Sequence, residues 1–385
     1  MSERQAVLLA LKSYYNGVDQ TEYDSKNDWK IVTEISKRHK IFPIVFCQYR
    51  DAVSGLIDGN TFLKMKTEVM SSTVTQITND IQLFKICEKL DSAGVAYSVC
   101  KGAACRAMYS QPDYRISCDE DILVERNDFP DAERVFCEDG YEQVIRNNIE
   151  TVFVKNALEV ELQKHFIGYF ERFDKINEII YDGIKSGFYI EYSGKRLRTL
   201  PPDCNFLLLS LHFFKHFIRG GIGIRQLMDI VKFTDINKDE IDFDYCFGVL
   251  KDISADKLIK TVLKIGNKYF DTDFSVNIGD ADAEELLDDI FDSGAYGNSE
   301  SEREHSGAVT QKMVFNGGGR IKTLKDVILP DKRSVARGAP DVDSDGKLFK
   351  YRAKRLINAL TQKNKYKALK ISLKRQRLMK KMGIY

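Results

Sequence analysis

Residues 116–125, with the sequence ISCDEDILVE, decide the fold of this chain. The aliphatic half of the stretch is typical of a buried β-strand, whereas aspartate is unfavourable in strands. Because strand side chains alternate between two faces, Asp119 and Asp121 should share one face and Glu120 the other. Two carboxylates on one face, about 6.5–7 Å apart at Cα, can converge on a hard divalent cation. The alternative is a polar strand end in solvent.

Further strands and helices are predicted on both sides of this strand. The apolar patterns indicate a long helix at 61–90, strands at 95–99, 141–145, 150–155 and 158–166, and helices at 102–109 and 128–139. The order β-α-β-α-β-β-β predicts an α+β fold with a small mixed β-sheet, flanked by N-terminal and C-terminal helical regions, and not a doubly wound parallel sheet.

The 385 residues divide by pattern into five parts. These are a helical N-terminal region (1–90), a sheet domain (91–200), a helical domain (201–293), a loop or linker rich in Gly, Ser and charge (294–345), and a basic helical tail (346–385).

The composition excludes some classes of protein. With 23 Phe and 18 Tyr the chain has ample core material, which excludes disorder of the whole chain. No run approaches the roughly 18 consecutive apolar residues of a membrane span. Charges around the short apolar stretch near residue 8 predict no signal peptide. Eight cysteines without a CxxC pair indicate reduced thiols, so we expect a cytoplasmic protein.

The net charge of +1 hides a strong asymmetry. Residues 271–304 carry twelve acidic side chains and one basic, whereas residues 346–385 carry fourteen Lys and Arg and no acidic residue. Such blocks are usually solvated faces. Leucine pairs four residues apart in the tail predict that it packs an apolar stripe on the helical region. Its basic face would then meet an anionic membrane surface or an acidic partner. The near-neutral body makes a nucleic-acid partner unlikely.

Two nearby segments add candidate site residues. In residues 158–163 (LEVELQ) apolar residues alternate with Glu159 and Glu161, either of which could complete a three-carboxylate cluster, although a surface strand has the same pattern. The Lys101-Gly102 pair joins a strand to a helix, where a glycine lets the backbone approach a phosphate and helix N–H groups face an anion. An ordinary turn is the alternative, since the spacing is not that of a P-loop.

Residues around the Asp119 strand keep the order of a known signature. They are Lys101-Gly102-Ala103-Ala104, Tyr109, Arg115 and Asp119-Glu120-Asp121-Ile122-Leu123-Val124. Together they resemble the LKG…Y…R…DxDLLV signature of a family of bacterial nucleotidyltransferases in the polymerase-β-like superfamily. Weaker similarity continues through Gly140-Tyr141, Val160-Glu161-Leu162, His212 with His216, and Ile224–Asp229.

The resemblance implies a Mg²⁺-dependent enzyme, with Mn²⁺ as the alternative ion. It would transfer a nucleoside monophosphate from an NTP to a hydroxyl acceptor, a carbohydrate or small molecule, and release pyrophosphate. The implied metal-binding and catalytic residues are Asp119, Asp121 and Glu161, and the implied nucleotide or phosphate contacts are Lys101, Gly102, Arg115 and Arg225. The sequence departs from the family at Gln163, where the family has histidine, so Glu159 is the second choice for the third carboxylate. The alternative function is a catalytically silent nucleotide-binding or regulatory module.

Three other features remain open from the sequence. His212 and His216 lie four residues apart on one helix, which suits a core position, a substrate contact or, without a third ligand, a weak metal site. Arg225 and Asp229 have the same spacing and predict a helix-surface or interdomain ion pair. Glu120 should matter little to chemistry unless its face is buried against a helix.

Overall fold

The N-terminal quarter of the chain is helical. In the computed structural model, which describes residues 2–147, 150–164, 173–294 and 374–385, four helices precede the sheet: α1 (Glu3–Tyr15), α2 (Trp29–Arg38), α3 (Phe42–Ser54) and α4 (Gly59–Ser92). Side chains of Ser2, Asp28 and Asp58 accept hydrogen bonds from the first turns of α1, α2 and α4. The long helix predicted at 61–90 is confirmed as α4.

A five-stranded mixed sheet follows and confirms the α+β class. Its strands are β1 (Tyr97–Cys100), β2 (Asp119–Val124), β3 (Glu142–Arg146), β4 (Glu150–Lys155) and β5 (Leu158–Gln163), with the short helices α5 (Gly102–Arg106) and α6 (Phe129–Glu138) between them. The spatial order is β1-β2-β5-β4-β3. Only the central pair, β2 and β5, is parallel, and it aligns Asp119 with Glu159 and Asp121 with Glu161.

Helices then return around a small hairpin. Helix α7 (Asp174–Lys185) leads into the two-stranded sheet of β6 (Phe188–Tyr192) and β7 (Lys195–Thr199), to which the sequence analysis assigned no element. The helices after it are α8 (Pro202–Arg219), α9 (Ile224–Ile236), α10 (Phe243–Asp252), α11 (Asp256–Tyr269) and α12 (Asp280–Ser293). A last helix, α13, covers residues 374–381. None of the described helices is both long and apolar enough to cross a bilayer.

Two apolar cores hold these layers together. One lies between the sheet and helices α4 and α6. The other joins the N-terminal helices to the helices that follow the hairpin, for example through Tyr49, Phe206 and Phe213. Helix α8 packs one face into this second core, and its other face borders the site described below. The division of the chain into five parts stays a prediction.

The last twelve residues belong to the second core. Leu378, Met379 and Met382 are buried there, and the buried guanidinium of Arg375 donates to the carbonyl oxygen of Phe217 in α8. This end of the basic tail therefore packs an apolar face on the helical region, as predicted. The predicted linker beyond Gly294, the rest of the tail and its leucine pairs lie outside the described residues.

Candidate functional site

The sheet and helices α8 and α9 enclose a cavity of about 310 Å³. All seven residues that the sequence analysis selected line it: Lys101, Gly102, Arg115, Asp119, Asp121, Glu161 and Arg225. Glu159, the second choice for a third carboxylate, is exposed and is not part of the lining. Residues from four separate segments of the chain thus meet in one place.

The carboxylates come together through the register of the parallel strands. Asp121 of β2 is aligned with Glu161 of β5, and Asp119 lies two residues before Asp121 on the same face. Burial raises the pKa of Asp121 to about 7, and the charges of Asp119 and Glu161 add to the effect, while the ammonium of Lys101 opposes it. Asp119 and Glu161 are therefore close enough to destabilise the charge of Asp121.

Lys101 makes the closest charged contact with this cluster. Its Nζ lies 2.7 Å from Oδ1 of Asp121 and 3.5 Å from Nδ1 of His212 on α8. Burial acts against the charged ammonium, but the carboxylate of Asp121, together with Asp119 and Glu161, raises the pKa of Lys101. The backbone of Lys101 has φ +52°, a conformation that costs a residue with a side chain of order 1–3 kcal/mol and that clusters at functional sites.

Gln163 is a site residue whose contacts the sequence analysis did not predict. Its Nε2 donates to Oδ1 of Asp121 at 2.5 Å and to Oε2 of Glu161 at 3.1 Å. The Gln163 side chain therefore bridges the two aligned carboxylates. The alternation of side chains along β5 could have predicted this position of Gln163, because residues 159, 161 and 163 share one face of the strand.

The first residue of α5, Gly102, must be glycine because of Glu120. A Cβ on Gly102 would lie 2.0 Å from Oε2 of Glu120. That carboxylate accepts a hydrogen bond from the backbone N–H of Ala103 at 2.8 Å and forms an ion pair with the fully buried Arg106, also at 2.8 Å. The glycine was predicted to let the backbone approach a phosphate, which stays a prediction, and its missing side chain also makes room for a buried carboxylate. Glu120 itself is 2% exposed and packs against α5. Its face of the strand is therefore buried against a helix, the condition under which Glu120 was expected to matter.

The two arginines of the predicted phosphate contacts have protein partners. Arg115 forms a bidentate pair with Asp229 of α9, through Nε at 3.2 Å and Nη2 at 2.6 Å. Arg225 donates from Nη1 to the carbonyl oxygen of Ile116, in the chain leading to β2. The predicted helix-surface or interdomain ion pair of Arg225 with Asp229 is therefore wrong, because Asp229 pairs with Arg115, which the fold buries beside it.

Helix α8 forms the wall opposite the strand ends. His212, Lys215, His216 and Arg219 lie on one face of this helix and line the cavity. Burial and the neighbouring cation Lys215 lower the pKa of His216 to about 3, and burial with Lys101 holds the pKa of His212 well below its usual value. Both rings are thus neutral. Neither Lys215 nor Arg219 was among the residues predicted for the site, although their spacing of four residues continues that of the histidines.

The donors fit a hard divalent cation held jointly with a substrate. Mg²⁺ commonly takes one or two carboxylates and completes its shell with phosphates and water, and Asp119, Asp121 and Glu161 offer such oxygens. Among the residues that the structure describes, no group of three or more His, Cys, Asp or Glu is arranged to hold a metal by itself. Substrate phosphates would have to complete the shell, and Lys101 would have to leave Oδ1 of Asp121 for an ion to bind there.

Comparison with known proteins gives one match. The sequence profile of a family described as uncharacterised nucleotidyltransferase matches residues 25–271, a span that contains every selected site residue. No curated protein and no solved structure shows significant similarity to the chain.

Proposed function

The chain belongs to the family of uncharacterised nucleotidyltransferases, and from that premise we propose that the cavity is the active site of a Mg²⁺-dependent enzyme. It transfers a nucleoside monophosphate from an NTP to the hydroxyl group of an acceptor. One observation carries the proposal: Asp119, Asp121 and Glu161 line a cavity whose other wall is basic. Carboxylates for a cation on one side and cations for phosphates on the other are what this reaction requires.

Each step of the reaction has a group of suitable chemistry in the cavity. The acceptor oxygen forms a bond to the α-phosphorus while the bond from that phosphorus to the bridging oxygen breaks, and pyrophosphate leaves. Glu161, only partly buried, accepts the proton of the hydroxyl group. Asp119 and Asp121 hold the divalent cation, which when bound neutralises charge on the phosphates. Gln163 positions two of these carboxylates by donating to both.

The acceptor that we propose is a carbohydrate or another small hydroxylated molecule. A cavity of about 310 Å³ lies at the lower end of the range for small-molecule sites, which is roughly 300–1,000 Å³. The polar lining, with carboxylates and amides beside the proposed base, suits a hydroxylated acceptor. We propose a cytoplasmic location, where NTPs are available.

One contact favours the alternative of a catalytically silent nucleotide-binding module. Nζ of Lys101 lies 2.7 Å from Oδ1 of Asp121, so a lysine occupies the place that a metal would take. If this ion pair persisted with nucleotide bound, the site could bind phosphates without performing transfer.

Turnover separates the two functions. The purified protein is incubated with Mg²⁺, each of the four NTPs labelled at the α-phosphate, and pools of carbohydrates and small alcohols, and pyrophosphate release is measured. We expect release with at least one acceptor pool, and its loss in Asp119→Asn and Asp121→Asn. Glu159→Gln is the matched control, because Glu159 is the exposed register partner of Asp119. Nucleotide binding without transfer in any pool would favour the silent module.

A further inference from the structure

The charges that line the cavity are divided between its two walls. Five side chains are acidic and five are basic: Asp119, Asp121, Glu150, Glu161 and Asp229, against Lys101, Arg115, Lys215, Arg219 and Arg225. Two ion pairs, Lys101 with Asp121 and Arg115 with Asp229, neutralise two of each. The remaining acidic side chains all come from strands, and the remaining basic ones all come from α8 and α9.

In the part of the chain that the structure describes, no carboxylate forms an ion pair with the two cations on α8. Within the described parts of the chain, neither Lys215 nor Arg219 forms an ion pair or a side-chain hydrogen bond. Lys215 is partly buried, whereas Arg219 is exposed. Burial and the charge of Lys101 lower the pKa of Lys215, and the charges of Asp121 and Glu161 oppose this shift. A partly buried cation without a directly hydrogen-bonded anion is costly, and a bound anion in the cavity would remove that cost. On α9, Nε of Arg225 is also buried, and no described residue accepts a hydrogen bond from it.

The spacing of the two α8 cations suits an extended anion. Residues four apart on a helix lie on the same face, about 6 Å apart along the axis. Two side chains so placed can contact different phosphates of one chain. The neutral rings of His212 and His216 lie between and beside them, so they add donors or acceptors but no further charge. A polyphosphate fits this wall better than a single carboxylate does.

We propose that Lys215 and Arg219 of α8, with Arg225 of α9, bind the β- and γ-phosphates of the NTP and so distinguish a triphosphate from a monophosphate. The inference rests on the proposed function, because it takes the strand carboxylates as the side that holds the cation and the α-phosphate. The triphosphate then spans the cavity from β2 to α8. The helix that closes the cavity is thereby the element that selects the donor nucleotide.

A phosphate group on the acceptor is the other source of the same chemistry. We favour the nucleotide because Lys101 links the two walls: its Nζ lies within 3.5 Å of both Asp121 on the sheet and His212 on α8. A chain of phosphates that begins at Asp121 therefore reaches α8 without leaving the cavity.

The test compares the binding of tri- and monophosphates by calorimetry in Mg²⁺. The probes are the four NTPs, the four NMPs and inorganic tripolyphosphate, and the proteins are the full chain and its Lys215→Gln and Arg219→Gln variants. Lys251→Gln is the control, because Lys251 is exposed on α10 and is not part of the cavity lining. We expect each cavity variant to lose about tenfold in affinity for the NTP and for tripolyphosphate, with NMP affinity and the control unchanged.

Several outcomes would overturn the inference, and they differ from failure of the proposed function. The assignment of α8 to the triphosphate would be overturned if the cavity variants lost equal affinity for NTP and NMP. It would also be overturned if they bound NTP as the wild type does and only used a phosphorylated acceptor less well. Tripolyphosphate binding that depends on Lys215 and Arg219, but without any transfer activity, would support the inference and contradict the proposed reaction. The variant Lys215→Arg keeps the charge and should keep the preference for triphosphates, which separates charge from packing.

Discussion

Replacing Gly102 by alanine should destabilise the protein because of one buried carboxylate. The new Cβ would lie 2.0 Å from Oε2 and 2.7 Å from Cδ of Glu120. Glu120 cannot simply swing away, since its carboxylate is held by Arg106, the N–H of Ala103 and the hydroxyl of Ser117. Overpacking alone costs about 1–3 kcal/mol, and losing one partner of a buried ion pair costs about 3–5 kcal/mol. We therefore expect a loss of about 3 kcal/mol or more.

Urea unfolding followed by the fluorescence of the single tryptophan, the buried Trp29, measures this loss. Gly248→Ala is the matched control, because Gly248 lies within α10 and a Cβ added there would meet no atom within 4 Å. That variant should gain stability, by about 0.5–1 kcal/mol. In a Glu120→Ala background, the cost of Gly102→Ala should largely disappear. If Gly102→Ala behaves like Gly248→Ala, the steric reasoning is refuted.

Three further outcomes follow from buried charges. Glu120→Ala should lower the free energy of unfolding by about 3–5 kcal/mol, because it leaves the buried Arg106 with less compensation; denaturant unfolding that matches the wild type would contradict this. Arg115→Met should cost a similar amount by leaving Asp229 buried and charged, and an Arg115→Met, Asp229→Leu double variant should recover much of it. Stability should also fall as the pH drops from 6.5 towards 4, because burial and the nearby Arg38 lower the pKa of His39 to about 4. As the pH falls, His39 is protonated in the unfolded chain before it is protonated in the folded one. This difference lowers the free energy of unfolding by on the order of 2 kcal/mol at pH 5. A His39→Gln variant should lack this part of the pH dependence in unfolding curves measured between pH 7 and 4.5.

The local parts of the site could be predicted from the sequence. Alternation along a strand is a property of a few neighbouring residues, so the shared face of Asp119 and Asp121 followed directly from ISCDEDILVE. That Glu161 and not Glu159 lines the cavity could not be deduced in this way. Glu159 and Glu161 lie on the same face of β5. They differ only in exposure, because the fold covers the end of the strand at Glu161 and leaves Glu159 exposed.

The long-range contacts could not be predicted. The spacing of four residues suggests Arg225 as the ion-pair partner of Asp229, but in the folded chain the partner is Arg115. Only the packing of α9 against the segment before β2 decides between the two arginines. The apolar richness of residues 206–217 concealed the polar face of α8, because a helix can bury most of its circumference and still present one line of charged residues to a cavity.

The central claim, that the strand carboxylates bind the nucleotide through a divalent cation, is tested most directly by calorimetry of NTP binding with and without Mg²⁺. The wild type, Asp121→Ala and Glu159→Gln are compared, since both substituted residues are carboxylates of the central strand pair but only Asp121 lines the cavity. We expect Mg²⁺ to strengthen NTP binding by the wild type and by Glu159→Gln, and to have little effect on Asp121→Ala. An equal effect of Mg²⁺ on Asp121→Ala and Glu159→Gln would contradict the claim.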